Sequence, residues 1–239
     1  MKLVLLPGLD GTGDLFADFA SALPADFETT ILRYPSDECL SNSELVEVVR
    51  SAMPDREPFV LVAESFSTPL AIQIAAANPP NLKALILCAG FAKAPVKGWL
   101  RFIRIFLSPL LFRLPVPEFA VRWLLTGPGA PASLISAVEK AVSSVKPQVL
   151  STRLRAVLRC DVRDELSKIA VPILYLKATE DRVVRAPCFE DIRRVNPQVK
   201  VIEVSGPHLL LQREAQQTAE IVSKVVQAIG CERNLPAIL

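Results

Sequence analysis

Six short apolar runs, spaced along the chain and separated by helical patterns, constrain this sequence more than any other feature. They are residues 2–6, 28–33, 59–63, 84–88, 172–177 and 200–204. Most are nearly continuous in Val, Leu, Ile and Ala rather than alternating with polar residues. A strand covered by helices on both faces needs such a run, and parallel sheets are built from strands of this kind. Helical patterns follow at residues 15–23, 42–51, 68–77, 186–195 and 214–229. The pattern at 68–77 stops at Asn78-Pro79-Pro80, where proline forbids continuation. Strand-helix alternation predicts an α/β fold with a mainly parallel, six-stranded, doubly wound sheet.

The alternation breaks between Phe91 and Lys168, where no convincing strand is found. Prolines 109, 115 and 117 divide its first half, and a Gly/Pro-rich linker spans 126–131. The expected organisation is a core of residues 1–90 and 169–239, with residues 91–168 inserted as a helical cap over the strand ends. The apolar half of the insertion carries Trp99 and Phe102, interleaved with Arg101, Arg104, Arg113 and Arg122. Packing and pocket lining explain it better than a membrane-lying helix, because proline interrupts it repeatedly. Trp99 and Phe102 are therefore candidate substrate contacts.

Charge and cysteine content narrow the function. Lys and Arg number 27 against 25 Asp and Glu, so a net charge of +2 offers no electrostatic footprint for nucleic acid. The single histidine, His208, excludes a His-rich metal site within one chain. The five cysteines show no short paired spacing, which fits reduced, mostly buried thiols. The N-terminal apolar run ends at Pro7-Gly8, too early for a signal peptide, and no stretch reaches the ~18 apolar residues of a membrane span. These readings predict a cytoplasmic protein with no stable membrane insertion. Oligomeric state is not legible.

Four loops carry the chemistry, each following a strand. Ala63-Glu64-Ser65-Phe66-Ser67 runs from a strand straight into a helix. A sharp turn there exposes the Ser65 hydroxyl, provided that the residues two positions away are small, as Ala63 and Ser67 are. Taken alone, the pattern also suits a serine capping a helix. Pro7-Gly8-Leu9-Asp10-Gly11-Thr12-Gly13 follows the first strand. Its glycines lack the spacing of a nucleotide loop, and the turn suits a backbone amide, that of Leu9, aimed at a developing oxyanion. Phe66 N–H at a helix start is the second such amide. Thr179-Glu180-Asp181 places an acid just past the fifth run, with Glu180 as runner-up, and His208 follows the last run. The order Ser, Asp, His is that of a nucleophile, an orienting acid and a base.

With these residues in place, the chain resembles the α/β-hydrolase superfamily over residues 2–229. The resemblance implies a core lacking the first two strands of the fuller fold. It implies Ser65 as nucleophile, Asp181 as orienting acid, His208 as base, and Leu9 and Phe66 as oxyanion amides. The sequence departs from the family where the elbow lacks both glycines, where Pro7-Gly8 replaces His-Gly, and where Glu64 precedes the nucleophile. Haloalkane dehalogenases and epoxide hydrolases share the fold but use aspartate, against which Ser65 argues. The expected activity is a serine carboxylesterase acting on small-molecule esters of apolar acyl groups, with no metal or organic cofactor. Thioesterase, acyltransferase, lactonase, C–C hydrolase and perhydrolase activities remain open on the same residues, as does a slow-turnover ligand-binding protein. Asp10 is a tentative contact for a polar substrate group, although a solvated turn carboxylate serves as well. Glu64 and Asp161 read as partners in salt bridges within the fold.

Overall fold

The computed structural model describes residues 1–96, 109–113 and 116–230. Trp99 and Phe102, and Cys231 in the C-terminal tail, lie outside them. Six strands form one sheet: β1 (Lys2–Leu6), β2 (Glu28–Ile31), β3 (Phe59–Glu64), β4 (Leu82–Cys88), β5 (Ile173–Ala178) and β6 (Lys200–Val204). Every pairing is parallel, in the order β2-β1-β3-β4-β5-β6. The order steps outward in both directions from β1 and β3, so the crossovers fall on both faces, as the continuous apolar runs require.

Burial follows position in the sheet. All six residues of β3 are buried, whereas β2 and β6 at the edges are largely exposed or half-buried. Along β1, Leu3 and Leu5 face one core, and Val4 and Leu6 face the other. The first core is closed by α1 (Ala17–Ala22) and by α10 (Ala215–Gly230), through Phe19, Val222 and Val226. The second is closed by α2 (Asn42–Ser51), α3 (Thr68–Ala76) and α8 (Ala186–Val195), through Val49, Leu70 and Ile192. Ser41 caps α2 in a reciprocal box: its hydroxyl accepts from Glu44 N–H at 3.3 Å, and its N–H donates to Glu44 Oε2 at 2.7 Å.

Two helical expectations shift by local chemistry. The pattern at 15–23 begins as a 3₁₀ turn (Asp14–Phe16) ahead of α1. The pattern at 214–229 is preceded by a separate turn of helix, α9 (Leu210–Arg213), which begins two residues after His208.

Between β4 and β5 the described residues form α4 (Glu118–Ala120), a π-helical turn (Val121–Thr126), α5 (Ala132–Ser143), α6 (Pro147–Arg159) and α7 (Arg163–Leu166). The segment leaves and re-enters the core at one place. Lys93 and Asp161 form an antiparallel bridge, Ala94 N–H donates to Cys160 O at 2.9 Å, and Val162 N–H donates to Ala92 O at 2.8 Å. Asp161 also pairs with Arg163 at 2.7 Å, two residues on in the same stretch rather than in the core. The segment packs on the core through Val121, Ala130, Ile135 and Val138, gathered around Leu209 beside His208.

The cysteines correct one expectation. Among Cys39, Cys88, Cys160 and Cys188 only Cys88 is buried; Cys39 is exposed and the other two are half-buried. No helix among the described residues is long and apolar enough to cross a membrane.

Candidate active site

β3 ends at Glu64, and the chain turns at once into a 3₁₀ turn (Ser65–Ser67) and then α3. Ser65 has φ +48°, in the left-handed region that a non-glycine residue adopts only when its surroundings enforce it. The turn lifts Ser65 out of the sheet, while Ala63 and Ser67 on either side are fully buried. Ser67 stands where the resemblance has glycine, and its hydroxyl explains the departure. It donates to the Pro7 carbonyl and receives the Tyr34 hydroxyl at 2.7 Å. Elbow, first loop and the end of the second strand segment are thus tied through one side chain.

His208 arrives from the loop after β6. His208 Nε2 lies 2.9 Å from Ser65 Oγ, and His208 Nδ1 lies 2.8 Å from Asp181 Oδ2. Asp181, three residues beyond β5, is locked by its other oxygen, which accepts the Val183 and Val184 N–H groups at 2.8 Å each. With a carboxylate opposite Nδ1, the proton resides there and leaves Nε2 as the acceptor for the Ser65 hydroxyl. Both His208 and Asp181 side chains are at most 5% exposed, so their contact is little screened. Glu180, the runner-up acid, instead takes Ser205 Oγ at 3.3 Å on the exposed side of the same loop.

The first loop closes the site on its other flank. Gly11 N–H donates to Gly8 O at 3.1 Å, making a tight turn around Leu9 and Asp10. The Leu9 N–H meets no acceptor among the described residues. Phe66 N–H lies in the first turn of a helical segment, where amides lack a partner along the helix. Asp10 is buried, and its Oδ1 accepts the Thr12 N–H at 2.9 Å and the Thr12 hydroxyl at 2.5 Å, which puts the carboxylate to work inside the loop.

Glu64 corrects the sequence reading, for it makes no salt bridge with any described residue. It is 1% exposed, and its Oε2 accepts Gln212 Nε2 at 3.2 Å. Glu64 Oε1 and Gln212 Oε1 meet no donor among the described residues. Burial pushes the Glu64 carboxyl up from 4.5 to about 7; His208 and Gln212 pull it down, and the Asp10 charge pushes it further up. One proton on Glu64 supplies a donor where two buried acceptors otherwise have none.

Sequence reasoning missed two other residues here. Gln212, on α9, links the histidine loop to the elbow through Glu64. Arg153, on α6, is 3% exposed and donates to backbone carbonyls of the first loop. A signal for Arg153 existed: it falls four and three residues after the buried Val149 and Leu150, a charged residue on an apolar stripe. Among the described residues, no group of three or more His, Cys, Asp or Glu side chains is placed to hold a metal ion.

The sheet order, the strained serine and the joined Ser65, His208 and Asp181 agree with a family match over residues 3–221 to the model described as the alpha/beta hydrolase family. The chain belongs to the alpha/beta hydrolase family. Solved structures agree on the fold of this hydrolase. A thermophilic esterase from Thermogutta terrifontis matches with a TM-score of 0.78 at 16% identity, covering 96% of this chain and 90% of that one. A lipase-esterase related protein from Clostridium acetobutylicum matches at 0.74 and 15%, covering 92% of each chain. The enol-lactonase from Burkholderia xenovorans matches at 0.72 and 15%, covering 95% and 91%. No curated protein sequence matches significantly.

Proposed function

We propose that this alpha/beta hydrolase is a serine esterase cleaving small carboxylic esters with apolar acyl groups. The observation that carries the reading is the unbroken relay from Ser65 Oγ to His208 Nε2 at 2.9 Å and from His208 Nδ1 to Asp181 Oδ2 at 2.8 Å. Neutral His208 takes the Ser65 proton as the hydroxyl oxygen attacks the ester carbonyl carbon. Asp181 holds the tautomer and stabilises the imidazolium. The Leu9 and Phe66 amides receive the oxyanion of the tetrahedral intermediate. The imidazolium protonates the leaving alcohol, and an acyl-Ser65 ester remains. His208 then deprotonates a water that releases the acid.

Residues 91–168 act as a cap over this site. Its apolar contact with the histidine loop, through Leu209 and the hydrogen bond from Leu209 N–H to Leu125 O at 2.9 Å, supports that placement. A cap of this composition favours an apolar acyl chain over a sugar or nucleotide.

The test is turnover of p-nitrophenyl butyrate by the wild type and by Ser65→Ala, with circular dichroism confirming the fold of the variant. Loss of turnover in the variant, together with loss of covalent labelling by a fluorophosphonate, supports the reading. Retained turnover removes Ser65 as nucleophile. No turnover of any ester across a panel of acyl lengths favours the ligand-binding alternative.

A further inference from the structure

Six consecutive carbonyls of the loop after β1 are each engaged by a donor. Pro7 O takes the Ser67 hydroxyl, and Gly8 O takes Gly11 N–H at 3.1 Å. Leu9 O and Asp10 O both take Arg153 Nη1, at 3.0 and 2.6 Å. Gly11 O takes Tyr34 N–H at 2.8 Å, and Thr12 O takes Arg33 Nη1 at 2.6 Å. All of these donors belong to the core except Arg153, which stands on α6, in the segment inserted between β4 and β5.

Arg153 is built into this place. Its Nη2 donates to Pro35 O at 3.0 Å, and its Cζ lies 5.6 Å from the centre of the Tyr34 ring. Gly11 leaves the necessary room: its φ is +70°, and a Cβ there would overlap the guanidinium. Burying a guanidinium is costly, and burial does push its pKa down, against the pull of the Asp10 charge and of Tyr34. A lysine ammonium, with one point of charge, does not span three carbonyls on two loops as the planar fork does.

We infer that Arg153 is a positioning residue for the oxyanion hole, reaching from the insertion to fix the peptide planes that follow Leu9 and Asp10. The inference rests on the serine esterase reading, in which the Leu9 amide receives the oxyanion. The Leu9 N–H lies in the Gly8–Leu9 peptide plane, whose Gly8 carbonyl takes Gly11 N–H, and that N–H lies in the Asp10–Gly11 plane, whose Asp10 carbonyl takes Arg153. Gly11 holds the plane before Leu9, and Arg153 holds the two planes after it. An oxyanion donor stabilises only if it already points at the place where charge develops, so a loosened loop lowers kcat and leaves KM nearly untouched.

The experiment compares wild type, Arg153→Lys and Arg153→Met on p-nitrophenyl butyrate. It adds two readouts that a plain structural strut would not move together. Active sites are counted by stoichiometric fluorophosphonate labelling, and affinity is measured for an aryl boronic acid, which mimics the tetrahedral intermediate. Arg153→Met is expected to lose kcat per labelled site about 100-fold, with KM within about threefold. Boronate affinity should fall by a comparable factor, and Arg153→Lys should lie between the two. Guanidinium ion added to Arg153→Ala should restore part of the rate. The inference is overturned if the loss tracks the number of labelled sites, or if kcat per site and boronate affinity stay at wild-type values. If Arg153→Met does not fold, Arg153→Lys decides by the same two readouts. Failure of the esterase reading is recognised separately, since the wild type would then show no Ser65-dependent turnover.

Discussion

Replacing Glu64 by glutamine should stabilise the protein above neutral pH, although the change removes a carboxylate next to the proposed nucleophile. Glu64 is 1% exposed, and burial lifts its carboxyl from 4.5 to about 7. Below about pH 4.5 the side chain is protonated in the folded and unfolded chain alike, so its titration contributes no difference. As pH rises from about 4.5 to about 7, the unfolded chain releases this proton while the folded chain still holds it. Fewer protons bound in the unfolded state means that stability falls as pH rises. Above about pH 7 both states are ionised and the penalty levels off. Lifting the pKa from 4.5 to about 7 corresponds to about 3 kcal/mol, a large part of the roughly 5–15 kcal/mol that holds a domain together. Glutamine has nearly the same shape, never ionises, and offers an N–H donor that the carboxylate lacks. The assay is urea unfolding of both proteins at a series of pH values, with the difference between them cancelling every titration that Glu64 does not influence. The gap should open in favour of Glu64→Gln by about 3 kcal/mol between pH ~4.5 and ~8. Parallel stability curves would refute the reasoning. A gap opening in the opposite sense would show Glu64 ionised and favourably paired in the folded protein.

Asp181→Asn should lower kcat by about 10³–10⁴-fold while preserving the fold, as measured by ester turnover and circular dichroism. The Val183 and Val184 N–H groups hold an oxygen at the Oδ1 position, so the new amide faces His208 and imposes the wrong tautomer. Ser67→Ala should cost about 1–3 kcal/mol in urea unfolding, because it strands the buried Pro7 carbonyl and Tyr34 hydroxyl; a change below about 0.5 kcal/mol would mean that the bridge is dispensable. Cys88 is buried, and burial together with the Glu64 and Asp181 charges holds its thiol well above the ordinary range. Mass mapping after iodoacetamide treatment of the folded protein should find Cys39 modified and Cys88 intact, with Cys88 reacting only on unfolding.

The parts of this molecule that were legible in the sequence are those governed by local rules. Residues 59–63 are apolar throughout because β3 is covered on both faces, and the next residues had to turn sharply to enter α3. Ser65, Asp181 and His208 each follow a strand that ends on the same edge of a parallel sheet. Knowing the three strand ends was therefore enough to expect the three side chains together. The bounds expected for β1 and β6 are those observed, whereas β2 ends two residues earlier, β4 begins two residues earlier, and β3 and β5 shift by one residue.

What the sequence withheld is the set of contacts that hold the site in shape, and the reason is physical. Arg153 lies more than a hundred residues from Leu9 and Asp10, and it lies in a helix whose Arg155 and Arg159 look the same in sequence. Only the packing of α6 decides which arginine turns inward, and only Gly11 records the space it takes. The serine at position 67 reads as a defect of the elbow until Pro7 and Tyr34 are found on either side of its hydroxyl. Glu64 reads as a charged residue needing a cation, and instead meets an amide four residues beyond the histidine. In each case a polar side chain spends its hydrogen bonds on a distant backbone or neutral partner, where burial decides both its orientation and its charge. Departures from a family pattern at such positions are therefore best read as a change in what braces the site: here a hydroxyl stands where the pattern has glycine and a buried acid where it has histidine, and each is tied to a distant part of the site.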